Sequence, residues 1–328
     1  FGVYRRRPVT VFAMLLILAG LAWAQAPNPV SAEARAITYL SHEVPAWAKE
    51  ANCFSCHNNG DAVRALFLAR TLSYTVPEAA LEGTVAWLVD PAEWENSPGD
   101  PIFSDKKLAR IQFAAALRAA IDAGIVADRT SLKEVAETLM EDQETNGSWH
   151  VEGNNATIGS PVTYGTVLAT YMTRKTLEAA DAGRFSAAIS RANEWLLSAP
   201  LGPIMDTAAL VLALGNLFAP ETREKVTKAL NRLLDSQSSD GGWGPYPKAR
   251  SEPFDTALVL LALASLDESW HPERVGKAIS GGRGFLLDIQ LADGGWIETT
   301  RPSGSQSYAE HISTTGWATL ALLRTLPN

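Results

Sequence analysis

Cysteine is almost missing from this 328-residue chain: there are two, with five histidines and four methionines. Two cysteines cannot build a framework of several disulfides, so the fold must stand on packing. Glycine and proline, at 24 and 18 residues, are too few for a collagen-like or low-complexity chain. Charged residues make up only 20% against 46% hydrophobic, which excludes disorder as the main state. Positive charge is also short: 28 Lys and Arg face 36 Asp and Glu, a net charge of −8. An acidic surface repels nucleic acid and favours a basic partner. The length allows one large or two ordinary domains, at roughly 100–200 residues each.

Residues 1–24 read as a targeting segment. Arg5, Arg6 and Arg7 precede an apolar run from Val9 to Ala22, and Ala22-Trp23-Ala24 has the small-x-small form of a cleavage site. The expectation is a signal peptide, or an uncleaved membrane anchor through residues 9–24, and hence a periplasmic or extracytoplasmic location. Without the three leader arginines, 25 basic residues face 36 acidic ones, a net charge of −11. Residues 25–328 are expected to form a single domain.

That domain is built on a repeat. Gln143 to Trp149, Gln237 to Trp243 and Gln290 to Trp296 share the form Gln-x-x-x-Gly-x-Trp. Each copy follows an amphipathic helical stretch and precedes an apolar one rich in small residues. Glycine after the last helical turn can adopt the left-handed conformation that closes a helix. Arg35-Ala36 with Tyr39-Leu40, and Arg191-Ala192 with Trp195-Leu196, share a second opening, with a looser version at Trp87-Leu88. Six helix pairs are predicted. Their second helices lie at about 61–73, 105–123, 161–176, 205–218, 254–266 and 313–326, poor in charge and suited to burial on several sides. The first helices are richer in charge, as an outer layer would be.

These repeats, with Asp206-Thr207-Ala208 and Asp255-Thr256-Ala257 opening the following helices, resemble the prenyltransferase and squalene-cyclase repeat superfamily. The resemblance covers about residues 30–328, is most specific in the C-terminal half, and implies an all-α fold, an α/α toroid of inner and outer helices. It also implies that the Gln and Trp residues tie neighbouring repeats together. Cyclases of this superfamily protonate an alkene with an Asp-x-Asp-Asp-Thr-Ala motif. The matching stretch here, Glu252-Pro253-Phe254-Asp255-Thr256-Ala257, has Phe254 in place of the central acid, and the stretch ending at Ala208 lacks it too. No catalytic residue is assigned, and Asp206 and Asp255 are read as helix N-caps.

Both cysteines fall in Cys53-Phe54-Ser55-Cys56-His57. This spacing is that of c-type haem attachment, with two thioether bonds and an adjacent proximal histidine. A reactive dithiol, or zinc held by the cysteines and histidines, would use the same residue types, although the thioredoxin-like βαβ pattern is missing. One covalent haem c on Cys53, Cys56 and His57 is therefore expected at the rim of the central cavity. His311 is the first choice of sixth iron ligand, followed by His150 and then Met205, with an iron lacking a sixth ligand as the remaining alternative; His42 is placed on the wrong side of Cys53 and His271 at the opposite rim. Arg64 and Arg110 are candidate propionate partners, or ordinary salt-bridge residues. Residues 91–105 are expected to form a rim loop, and 301–308 a loop that carries His311. The resulting expectation is an exported monohaem electron carrier, with a redox protein or membrane electron-transfer complex as partner. A haem enzyme acting on peroxide or on a lipid-like ligand, and a haem-bearing sensor, are the alternatives. An apolar small molecule is a further candidate occupant of the cavity.

Overall fold

The computed structural model describes residues 30–51, 53–94, 106–151, 164–217, 219–297 and 307–327. The leader and most of the two expected loops lie outside them. Among the described residues there is no strand, and no helix is long and apolar enough to cross a membrane. The outer helices are α1 (Ala32–Ala51), α3 (Glu82–Leu88), α6 (Thr130–Glu141), α8 (Ser186–Ser198), α10 (Pro220–Asp235) and α12 (Pro272–Asp288). The inner ones are a π-helical turn (Cys56–Ala62) running into α2 (Val63–Thr71), then α5 (Lys106–Asp122), α7 (Thr166–Asp181), α9 (Ile204–Leu214), α11 (Pro253–Ala264) and α13 (Tyr308–Arg324). A short α4 (Pro91–Trp94) leads off the segment expected to be a loop. Each inner helix packs on the next, and α13 packs back on α2 and the π-helical turn, so the inner ring closes. This is the α/α toroid expected from the sequence.

Sequence pattern decides which helix lies in which ring. In α10, Pro220 supplies a preset first turn, and Val226, Ala229, Leu230 and Leu233 make one buried stripe on an otherwise charged helix. In α11 every residue from Pro253 to Leu263 is buried except Leu261. A helix apolar nearly all round belongs in the middle.

The repeat motif performs the same task three times. The indole N–H of Trp149, Trp243 and Trp296 donates to the carbonyl of Leu139, Leu233 and Leu286, at 2.6, 2.7 and 2.8 Å. Their backbone N–H groups donate to Thr170, Thr256 and Thr315 on the following inner helices. The amides of Gln143, Gln237 and Gln290 each reach the next outer helix, donating to the carbonyls of Ala188, Ala278 and Ala32, all at 2.9 Å. Arg191 and Arg35 complete two of these joints by donating to the Gln143 and Gln290 side chains. At the third joint Gly281 takes their place. The motif glycines, Gly147, Gly241 and Gly294, have φ of 96°, 89° and 99°. A Cβ at each would lie 2.4–2.6 Å from a carbonyl oxygen of the next outer helix. Only glycine meets both demands.

The Gln290 joint grips α1 and so closes the outer ring from last repeat to first. Arg283 reinforces it, donating to Glu33 at 2.8 Å and to the Leu322 carbonyl at 2.6 Å.

Several boundaries differ from those predicted. α13 begins at Tyr308, not near 313, because the Ser307 hydroxyl accepts from the Glu310 N–H at 3.2 Å. α7 runs to Asp181, five residues beyond the predicted end. Asp206 and Asp255 are not N-caps: Pro203 and Glu252 hold those positions, and the two acids lie in the first helical turns. There each carboxyl group still lies at the positive end of a helix dipole.

Candidate functional site

The Cys53–His57 sequence lies where α1 passes to the first inner helix. Phe54 stacks on Trp87 at 4.6 Å. The Ser55 hydroxyl caps the π-helical turn by accepting from the His57 N–H at 3.1 Å, and the Val63 N–H bonds to the Asn58 carbonyl five residues back. From His57 to Ala62 every residue is buried. Asn58 donates to the Glu43 carbonyl and the Tyr308 hydroxyl, and Asn59 to the Val44 carbonyl and Thr84. A Cβ on Gly60 would stand 2.9 Å from that of Gln112, so α5 approaches the turn closely.

Asp61, wholly buried, is the centre of this junction. Its carboxylate accepts from the Tyr164 hydroxyl at 2.6 Å, the Gln112 amide at 2.7 Å and the Ser313 hydroxyl at 2.6 Å. Arg64 Nη2 lies 3.6 Å away. Residues up to 252 positions apart in sequence thus meet on one side chain. Burial, and then the Asp61 charge, hold the Tyr164 phenol protonated far above its ordinary range. A buried side chain that accepts from three separate segments of the chain at once fastens them together. Burial pushes the His57 pKa below its ordinary 6.5, with Asp61 opposing in part, and its Nδ1 has no hydrogen-bond partner among the described residues.

The expected iron ligands do not gather around this turn. His311 packs edge-on against Tyr39 of α1 at 5.7 Å. It lies two residues, about 200° of helix, from Ser313, which faces Asp61. His150 is exposed, with Nδ1 3.4 Å from the Thr166 hydroxyl. Met205 is buried with its terminal methyl by Gly165. His42 is exposed beside Glu43, and His271 caps α12 in a left-handed conformation. Arg110 pairs with Asp142. Among the described residues no three His, Cys, Asp or Glu side chains form a group that could hold a metal ion. Cys53 and Cys56 are partly buried thiols.

The cavity is elsewhere. A space of about 300 Å³ is lined by all six inner helices, among them Met172, Leu212, Leu261, Trp317 and Leu320. Exposed Ala264 and Arg324 stand at its mouth, so it opens where the inner helices end, at the rim opposite the repeat turns. An aromatic tier separates it from the Asp61 junction: Trp317 meets Tyr164 and Phe254 edge-on, each at 5.8 Å. Phe254 is the residue that replaces the cyclases' central acid. The Arg64 guanidinium lies over the Trp317 ring at 4.2 Å and faces the same cavity. The Cys53–His57 turn therefore closes one end of the ring, and the cavity opens at the other.

A closed inner helical ring around an apolar space defines a squalene-cyclase-like α/α toroid. The squalene-hopene cyclase C-terminal domain family matches residues 202–326. Drimenyl diphosphate synthase of Streptantibioticus cattleyicolor is 33% identical over 69 residues, 21% of this chain and 12% of that protein. Human lanosterol synthase is 29% identical over 110 residues, 32% of this chain and 15% of its own. The chain thus spans less than a sixth of the length of either relative. The type II terpene cyclase MstE of Scytonema, solved with geranylgeranyl dihydroxybenzoate, has a TM-score of 0.53 at 15% identity, covering 89% of this chain and 98% of that one. At that identity the likeness establishes the fold.

These likenesses overturn the electron-carrier reading. They point to a terpene-cyclase-like protein, and the described residues present no metal-binding group around Cys53, Cys56, His57 or His311. The cytochrome assignment falls with it, and the redox partner finds no support. Sequence reasoning passed over Gln112, Tyr164, Ser313, Arg118 and Trp317. The available signal was the placement of Gln112 and Ser313 on otherwise apolar inner helices.

Proposed function

We propose that the chain binds a small apolar molecule of the isoprenoid class inside the toroid. The observation that carries this reading is the cavity lined by all six inner helices, with Leu212, Leu261, Leu320 and Trp317 on its wall. Its volume of about 300 Å³ is near the lower limit for ligand pockets. A squalene-length chain does not fit wholly inside, whereas a geranyl-sized one does if its end reaches the mouth. The ligand named for the MstE structure is likewise isoprenoid. Phe254 in place of the central acid, and Asp61 held by three donors, favour binding over alkene protonation.

Calorimetric titration with geraniol, geranic acid and geranyl diphosphate tests this. At least one should bind the native chain, and a Leu261→Trp variant that fills the cavity should lose that binding while keeping its helical circular dichroism. No binding by the native chain, or undiminished binding by a folded Leu261→Trp variant, would overturn the proposal.

A further inference from the structure

The cavity is apolar on most of its wall, yet the buried polar side-chain atoms of its lining residues that lack a hydrogen bond among the described residues are all donors. Arg118 Nη1 and Trp317 Nε1 are buried and make no hydrogen bond among the described residues, and Arg64 Nη2 has only its ion-pair partner Asp61, at 3.6 Å, beyond hydrogen-bond distance. All three belong to residues that line the cavity. Arginine and the indole N–H can only donate. Buried donors are nearly always paired in folded proteins, so three in one space mark a place where an acceptor belongs. Arg64 is 94% buried, since its exposure is 6%.

The charges around the space have the same bias. Arg64, Arg118 and Arg324 face Asp61, 3.6 Å from Arg64, and Asp122, 3.9 Å from Arg118. Arg324, in the last turn of α13, lies at the negative end of that helix's dipole, which uses part of its charge. Arg64 and Arg118 lie deeper. Burial, with Arg64 adding to it, pushes the Arg118 pKa down against the opposing pull of Tyr171 and Asp122. An anion between the two guanidinium groups would relieve that repulsion and accept from the indole as well.

Resting on the reading that the cavity takes an isoprenoid-like tail, we propose that its ligand is an amphiphile whose oxyanion headgroup is held by Arg64, Arg118 and the Trp317 N–H. The headgroup is a carboxylate or a phosphate. The tail lies against Leu212, Leu261 and Leu320.

Three ligands with one tail separate the two claims: geraniol, geranic acid and geranyl diphosphate, titrated into the native chain. The oxyanion site requires at least one anionic ligand to bind about tenfold or more tighter than geraniol, since hydrogen bonds to charged groups commonly amount to that much. The tighter of the two anions identifies the headgroup. Arg118→Gln should remove most of that advantage and leave geraniol unchanged, while Arg118→Lys should keep part of it. Trp317→Phe retains an aromatic ring beneath Arg64 and removes the donor, so it should weaken the anions several-fold more than it weakens geraniol. If Arg118→Gln does not fold, Arg118→Lys and Trp317→Phe decide the matter. Equal binding of all three ligands would overturn the oxyanion site and leave the apolar cavity standing, as would anion binding indifferent to folded Arg118 and Trp317 variants. No binding by any of the three would overturn the cavity reading itself.

Discussion

Removing the Asp61 carboxylate should unfasten the ring at the point where its first and last inner helices meet. In an Asp61→Ala variant the Tyr164 hydroxyl, the Gln112 amide and the Ser313 hydroxyl lose their acceptor, and Arg64 loses its counter-ion. Hydrogen bonds to a charged group contribute about 1.5–3 kcal/mol each. Taking one member from a buried ion pair costs about 3–5 kcal/mol. These contributions share partners and do not add, and the two hydroxyls can turn towards each other, so the expected loss is about 4–6 kcal/mol. Asp61→Asn preserves the shape and one acceptor but sets an N–H₂ among donors, for a loss of about 2 kcal/mol. Ser313→Ala removes one bond of the three and should cost about 1–2 kcal/mol. Urea unfolding followed by circular dichroism, compared at unchanged m, measures the series. The order Asp61→Ala, Asp61→Asn, Ser313→Ala is required. A loss below about 1 kcal/mol for Asp61→Ala would refute the fastener, because no donor-ringed buried carboxylate is removed so cheaply.

Gly241→Ala should destabilise by well over 2 kcal/mol, combining left-handed strain of about 1–2 kcal/mol with a Cβ 2.4 Å from the Gly281 carbonyl. Gly124→Ala has positive φ but open space around it, and should cost only the strain; thermal melts of the two variants compare them. Trp243→Phe loses the bond to Leu233 and should lower stability by about 1–3 kcal/mol by urea titration. His57 has a folded-state pKa below its unfolded value, so the unfolded chain binds the extra proton first. Stability should therefore be full above about pH 6.5 and fall as the pH drops below it, and His57→Gln should flatten that slope in melts between pH 7 and pH 5.

The toroid was legible because its joints are local. Gln and Trp six residues apart, with a glycine between, specify the hydrogen bonds of Gln143, Gln237 and Gln290, and the geometry repeats with them. The site was not legible for the opposite reason. Asp61, Gln112, Tyr164 and Ser313 come from four places in the chain and share no spacing, and Arg64, Arg118 and Trp317 converge only when the ring closes. The Cys53–His57 spacing was the most conspicuous local signal in the chain, and it carried the electron-carrier reading. The neighbouring Asn58, Asn59, Gly60 and Asp61 held the structural message, since each meets another helix inside the protein. Polar side chains packed into the start of an apolar helix suit a junction that must satisfy buried groups.

The most direct measurement is a crystal structure of the chain grown with saturating geranyl diphosphate or geranic acid. The tail should appear inside the inner ring between Trp317 and Leu212, Leu261 and Leu320, with its headgroup at Arg64 and Arg118. A ligand bound only outside the ring, or a central cavity still vacant at saturation, would contradict an isoprenoid-binding toroid.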